Sequence, residues 1–143
     1  MDNVVIEWEE VEDNDNIKES DDTYFYAFTQ SNLFYSKLIY IGIAYHQDVA
    51  DEIYRTIKRF DYNIKKIKIW LGYIEKSDYN RITKSIVRDI ESLLICGNEP
   101  EDNVQCKDNY TGRDNLKIKN NGCKQIKSVK CKDCEVTLNK WLL

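Results

Sequence analysis

Arg55 and Arg59 stand four residues apart, a spacing that puts both guanidiniums on one side of a helix, where two planar, fork-shaped donors suit a phosphate. Lysines point the same way. Lys117, Lys119, Lys124, Lys127, Lys130 and Lys132 crowd the C-terminal part, and Lys65, Lys66 and Lys68 stand together in mid-chain. Charges of this kind contact nucleic-acid phosphates without reading base sequence. Thiols form a second group: Cys106 and Cys123 precede the close pair Cys131-Lys-Asp-Cys134. Four thiolates can hold a structural Zn²⁺, although such sites ordinarily show two close pairs rather than one. With Cys96 the count is odd, so no disulfide framework is expected, and reduced thiols fit an intracellular protein. His46 is the single imidazole, and its charge changes near neutral pH. No nucleophile elbow, phosphate-binding loop or metalloprotease helix motif is present, which removes the usual hydrolase and nucleotide-binding readings.

The chain has 143 residues, 42% of them hydrophobic and 12% aromatic, enough for one domain with a single core. The net charge of -4 hides an asymmetry: residues 1–22 hold ten acids against Lys18, a balance of -9, so the remainder carries +5. A block of this sign beside a mildly basic body reads as a solvated acidic arm. Its other reading is an arm that covers a basic face or engages a protein partner. No window approaches the roughly 18 apolar residues of a membrane span, and Met1 is followed by acids rather than by a basic and then apolar leader. The expectation is an intracellular protein, cytoplasmic or nuclear, of cellular or viral origin, with no membrane partner.

The elements that must position these side chains follow from periodicity. Val4, Ile6 and Trp8 alternate as in a short strand, but the acidic run after them places the start of the ordered domain near residue 23. Aromatic-rich residues 23–29 and apolar residues 38–43 read as an antiparallel hairpin. Asp48 caps a helix to about residue 60, with Val49, Ile53, Ile57 and Phe60 on one face. Residues 66–74 alternate as a third strand. Ser77 or Asp78 caps a second helix through residue 95, stopped by Gly97-Asn98 and Pro100. A short strand at 116–118 and the turn Asn120-Asn121-Gly122 follow. The expected fold is α+β: a small three-stranded antiparallel sheet flanked by helices, over residues 23–122. An acidic arm, 1–22, precedes it and a Cys/Lys-rich extension, 123–143, follows.

That element order, together with particular residues, resembles the GIY-YIG nuclease superfamily over about residues 23–122. Tyr24-Phe25-Tyr26 stands where the Gly-Ile-Tyr half would be, without its glycine, and Tyr40-Ile41-Gly42 is an intact second half. Asp89-Ile90-Glu91-Ser92-Leu93-Leu94-Ile95 is similar to the family's helical Glu and Leu-Leu-Ile-type run, and Pro100-Glu101-Asp102-Asn103 to its Pro-x-x-Asn. Tyr110-Thr111-Gly112-Arg113-Asp114-Asn115-Leu116-Lys117-Ile118 with Asn121-Gly122 is similar to the tail of a viral or bacterial subgroup. The resemblance implies a metal-dependent endonuclease that hydrolyses phosphodiester bonds in DNA. It implies Glu91 as ligand to one Mg²⁺ or Mn²⁺, a hard cation that takes one or two carboxylates and keeps its waters. Tyr40 or Tyr26 would activate the water, Arg55 or Arg59 would stabilise the phosphate, and Gly42 and Asn103 would lie at the substrate. His46, in the turn after Gly42, falls beside the same site. The family's helical Arg precedes an apolar core position; here Glu52 precedes Ile53 and Thr56 precedes Ile57. That departure, and the missing first glycine, support a second expectation, a catalytically degenerate module of the same fold that binds DNA or protein.

Overall fold

The structure, a computed structural model, describes residues 1–20, 22–45, 48–104 and 109–134. Its elements in chain order are β1 (Asp2–Glu10), β2 (Phe25–Ser31), β3 (Ser36–Ile43), α1 (Val49–Phe60), β4 (Ile67–Ser77), α2 (Lys84–Asn98), β5 (Leu116–Asn121), β6 (Val129–Lys130) and a short 3₁₀ helix at Cys131–Cys134. No helix among the described residues is long and apolar enough to cross a membrane.

The expected three-stranded sheet flanked by helices is overturned. Among the described residues, six strands form one mixed sheet in the order β3-β2-β4-β1-β5-β6, curled into a half-barrel, with two α-helices. β1 and β5 run parallel and every other pair is antiparallel. The error lies in residues 1–22, expected as a solvated arm. β1 is an interior strand between β4 and β5. Val4, Ile6 and Trp8 are buried while Glu9 and Glu10 are exposed and Glu7 is half-buried. A strand sends successive side chains to opposite faces, so an acid-rich segment can still bury one whole face. Trp8 seals the arrangement. Its Nε1 donates to Asn120 Oδ1 at 2.9 Å, and Gly122, at φ +97°, brings its backbone so close that a Cβ would lie 2.2 Å from the Trp8 carbonyl oxygen. Residues 11–20 are tied down as well: Asn14 Nδ2 donates to the carbonyls of Ile64 and Ile67, and the Ile17 amide donates to Tyr54 Oη at 3.2 Å.

Two apolar layers cover the sheet. On one face α2 packs over Val4, Ile6, Phe25, Ala27 and Ile118; on the other α1 packs over Tyr26, Phe28 and Ile69. The hairpin of β2 and β3 and both helices lie close to where periodicity puts them. α1 is capped by Asp48, whose Oδ1 accepts from the Asp51 amide. α2 starts later than expected, with Thr83 as its cap. Asp78 is engaged elsewhere, its Oδ2 accepting from the Asn3 amide at 2.7 Å and from Asn3 Nδ2 at 2.9 Å. The lysine-rich C-terminal segment supplies β6, and Cys123, Cys131 and Cys134 are buried.

Burying Val4 and Ile6 contributes about 1.5–3 kcal/mol each, against a total stability of about 5–15 kcal/mol for a domain. Removing residues 1–22 should therefore abolish cooperative thermal unfolding. A truncated chain that still melts in one transition near the full-length temperature would contradict the interior placement of β1.

Candidate functional site

β3 is the edge strand of the sheet, so one row of its backbone groups has no strand partner. The segment after α2 fills part of that row. The Asp102 amide donates to the Ile39 carbonyl at 2.8 Å and the Glu101 amide to Leu38 at 3.4 Å. Asn103 then acts as a substitute strand residue: its Oδ1 accepts from the Ile41 amide and its Nδ2 donates to the Ile41 carbonyl, both at 2.9 Å. Lys37 and Glu101 close the outer side with an ion pair at 2.7 Å.

This edge is where the two faces of the sheet meet. A cavity of about 260 Å³ lies there, with Tyr40 from β3, Arg59 and Phe60 from the end of α1, Glu91 and Ile95 from α2, and Asn103 from the edge segment. Tyr40 is aimed by a bulge. Phe28 pairs with Tyr40 and Thr29 with Leu38, so Ile39 is skipped in the register, and both Ile39 and Tyr40 turn towards α1. Bulges of this kind re-aim a side chain beside a site. Arg59 Nη2 donates to Tyr40 Oη at 3.1 Å, while its guanidinium carbon lies 5.0 Å from the centre of the Phe60 ring. Burial pushes the Glu91 carboxyl up to about 7, Glu52 adds to the rise, and Arg88 opposes it.

Tyr26 lies beneath this cavity rather than in it. It is 1% exposed, its ring is 6.0 Å from that of Tyr40, and its Oη bonds with Thr56 Oγ1 at 2.8 Å and Glu52 Oε1 at 3.3 Å. Burial above all, with Tyr40 and Glu52 adding, raises its phenol well above the usual tyrosine range. Gly42 serves this ring: a Cβ there would lie 2.4 Å from Tyr26 Cζ, so the space expected for a phosphate holds a phenol. Arg55 is exposed and directs Nη1 to Glu52 Oε2 at 3.3 Å. The structure thus brings Tyr40, Arg59, Glu91 and Asn103 together, sets Tyr26 and Gly42 one layer below, and turns Arg55 aside. His46 and Cys106 lie outside the described residues.

Glu52, Thr56 and Asp102 were not singled out as site residues. Glu52 in the first turn of a helix reads as a charge favoured by the helix dipole, and its contact with Tyr26 depends on a strand 26 residues away. Asp102 accepts a hydrogen bond from Tyr62 Oη. Among the described residues no group of three or more His, Cys, Asp or Glu converges to hold a metal. The Cys131 thiol donates to the Asp114 carbonyl at 2.6 Å. Glu91 is a hard oxygen donor with Glu52 close enough to raise its proton affinity, which suits one divalent cation that keeps several waters. A cavity of about 600 Å³ lies elsewhere and is walled by Glu9, Glu10, Glu12, Asp13, Glu19 and Asp22 with Lys18; that net negative charge repels phosphate. No protein-family model matches the chain, and no match was found among curated proteins or among solved structures.

Two outcomes follow from this geometry. Between pH 4.5, where an unfolded Glu is half ionised, and about 7, the folded chain keeps the Glu91 proton that the unfolded chain loses. Stability should therefore fall by about 3 kcal/mol as pH rises through that window, and Glu91→Gln should flatten the fall in denaturant titrations. Asn103→Ala should cost about 1–3 kcal/mol, because it leaves both backbone groups of Ile41 unpaired; a loss within error of zero would show that water replaces the amide.

Proposed function

We propose that the cavity at the β3 edge hydrolyses phosphodiester bonds in DNA by attack of water. The observation that carries this reading is the convergence of a phenol, a guanidinium and a carboxylate of raised proton affinity, from β3, α1 and α2, in one 260 Å³ cavity. Such a reaction needs a group to take the proton of water, positive charge where the phosphoryl oxygens gain electrons, and an ordered approach. Tyr40 would take the proton of the attacking water as its phenolate, having first released its own proton to solvent, whereas Tyr26 is buried and its phenol keeps its proton. Arg59 holds positive charge at Tyr40 Oη and at the mouth of the cavity, where it also faces an incoming phosphate. Glu91 would hold one Mg²⁺ or Mn²⁺, which when bound supplies positive charge to the phosphate and leaving oxygens. Asn103 keeps the wall in place by bonding Ile41, a positioning role.

A second reading rests on one observation. Glu52 and Thr56 occupy the helix positions at which the GIY-YIG pattern, which the chain resembles, puts its cation, and both contact Tyr26 Oη. A module with a buried, neutral tyrosine and one cation fewer would bind DNA at the same cavity without cutting it.

Supercoiled plasmid with Mg²⁺ or Mn²⁺ separates the two. Wild type should nick it, Tyr40→Phe should lose about 10²-fold or more of the rate, and Glu91→Ala should abolish nicking with the fold retained. Tyr26→Phe should cost far less. Activity should rise with pH up to about 7 as Glu91 sheds its proton, and more metal should move that rise to lower pH. Wild-type protein that binds plasmid but nicks it with neither metal would overturn the nuclease reading in favour of the binding module.

A further inference from the structure

The last turn of α2 packs against the 3₁₀ helix at Cys131–Cys134, and each of the two elements presents a thiol to the other. Cys96 on α2 and Cys134 at the end of the 3₁₀ helix are 8% and 7% exposed and belong to the same apolar layer. The Cys134 thiol is in hydrogen-bond contact with Cys96. Burial first, and then that contact, push the Cys134 thiol up to about 12. Both residues are thiols in the structure, not halves of a disulfide.

The backbone on both sides sets this meeting. Asn98, at the end of α2, grips Lys127 with both ends of its amide: Nδ2 donates to the Lys127 carbonyl at 3.2 Å and Oδ1 accepts from the Lys127 amide at 2.8 Å. Gly97 lets α2 approach β6 so closely that a Cβ there would overlap the Val129 side chain. Beyond β6, the Lys130 amide donates to Asp133 Oδ2 at 3.1 Å, which fixes the turn that brings Cys134 back onto α2. Two other thiols are engaged elsewhere, Cys131 Sγ donating to the Asp114 carbonyl at 2.6 Å and Cys123 Sγ to Gln125 Oε1 at 3.4 Å. A cavity of about 350 Å³ is walled by Cys96, Gly97, Glu99, Lys127 and Asp133. Cys96 is therefore the member of the pair that a small reagent reaches.

We propose that Cys96 and Cys134 are a redox pair, joined by two-electron oxidation in a disulfide that fastens the 3₁₀ helix to the last turn of α2. The inference is independent of the reading of the β3-edge cavity. The oxidant is a small disulfide of the glutathione class. Cys96, its proton released to solvent, attacks one glutathione sulfur as thiolate and expels the other glutathione as a thiolate. Cys134 then loses its proton, attacks Cys96 Sγ and displaces the second glutathione, so two protein thiols are oxidised and one glutathione disulfide is reduced to two thiols. The new bond closes a long loop that contains β5 and β6, and such a cross-link stabilises by restricting the unfolded chain. A buried thiol that holds its proton is a poor nucleophile, so closure is slow and the pair responds to sustained oxidation rather than to a brief pulse.

The test uses the full-length wild-type protein, incubated with oxidised and reduced glutathione at stepped ratios and quenched with acid and then N-ethylmaleimide. Proteolysis and mass spectrometry should recover one linked peptide that joins Cys96 to Cys134, about two daltons lighter than the two thiol peptides together. The oxidised protein should melt about 10 °C above the reduced one, and dithiothreitol should reverse both changes. Cys134→Ser should lose the linked peptide and the rise in melting temperature, and it should keep glutathione on Cys96 as a trapped mixed disulfide. Cys96→Ser should lose the linked peptide and the rise as well. Cys131→Ser should retain them.

A linked peptide that joins Cys134 to Cys131, or to any cysteine other than Cys96, would overturn the pair. So would a wild-type protein that yields no linked peptide at any ratio, one that carries glutathione on Cys96 without going on to the internal bond, or one that links only after denaturant is added. A linked protein whose melting temperature is unchanged or lower would show that the bond strains the two elements rather than fastening them, and would overturn the clamp. These readings are taken on the wild type, so they stand even where a serine variant fails to fold.

Discussion

The site depends on how the open edge of β3 is closed. An edge strand leaves N–H and C=O groups that must find partners or water, and Asn103 meets the need at Ile41 with a side-chain amide that has a donor and an acceptor in the right order. This pair of bonds fixes the segment after α2 against the strand. It thereby fixes the end of α2, and with it Glu91 and Ile95, against Tyr40. Since α1 packs on the other face of the same strand, its last turn reaches the edge too. A cavity that takes residues from both helices can form only where neither face of the sheet separates them, and the edge is such a place.

The electrostatics within this frame are divided between two tyrosines 6.0 Å apart. Tyr26 is enclosed, bonded to Thr56 and Glu52, and needs the absent side chain of Gly42 to fit. Tyr40 stands half-buried in the cavity wall with Arg59 donating to it. The sequence offers the two as equals, and the packing gives them different chemistry. Burial of a neutral phenol costs little when its hydroxyl is bonded, whereas a phenolate would lose its hydration. Glu91 shows the same physics: a carboxyl removed from water keeps its proton to a higher pH than a solvated one.

Charge is sorted over the molecule at larger scale. Acidic side chains of β1 and the segment after it gather around the 600 Å³ groove, and Glu10, Glu12, Asp13 and Asp15 share a neighbouring groove with Lys65 and Lys68, while Lys58 and Arg59 lie in the last turn of α1. The acids of the N-terminal segment therefore belong to the folded body, carried on an interior strand and the segment that follows it.

Much of the secondary structure was legible in residue order, because a hairpin, a cap such as Asp48 and a helical stripe such as Val49, Ile53 and Ile57 are set by contacts within a few residues of one another. Glu91 and Asn103 were legible only as parts of motifs the chain resembles, since neither residue type marks a site by itself. What residue order could not show was the sheet. Charge counted along residues 1–22 averages over the two faces of a strand, and it concealed that Val4, Ile6 and Trp8 all fall on the buried one. It also could not choose between Tyr26 and Tyr40, or between Arg55 and Arg59. The place of Tyr40 in the cavity turns on a one-residue bulge at Ile39, set by pairing between strands, whereas Arg55 is drawn aside by Glu52 one helical turn away. The sequence by itself determined the local elements and the stock of reactive groups; only the tertiary structure decided which of them share a cavity, because that depends on strand pairing and edge closure over long separations.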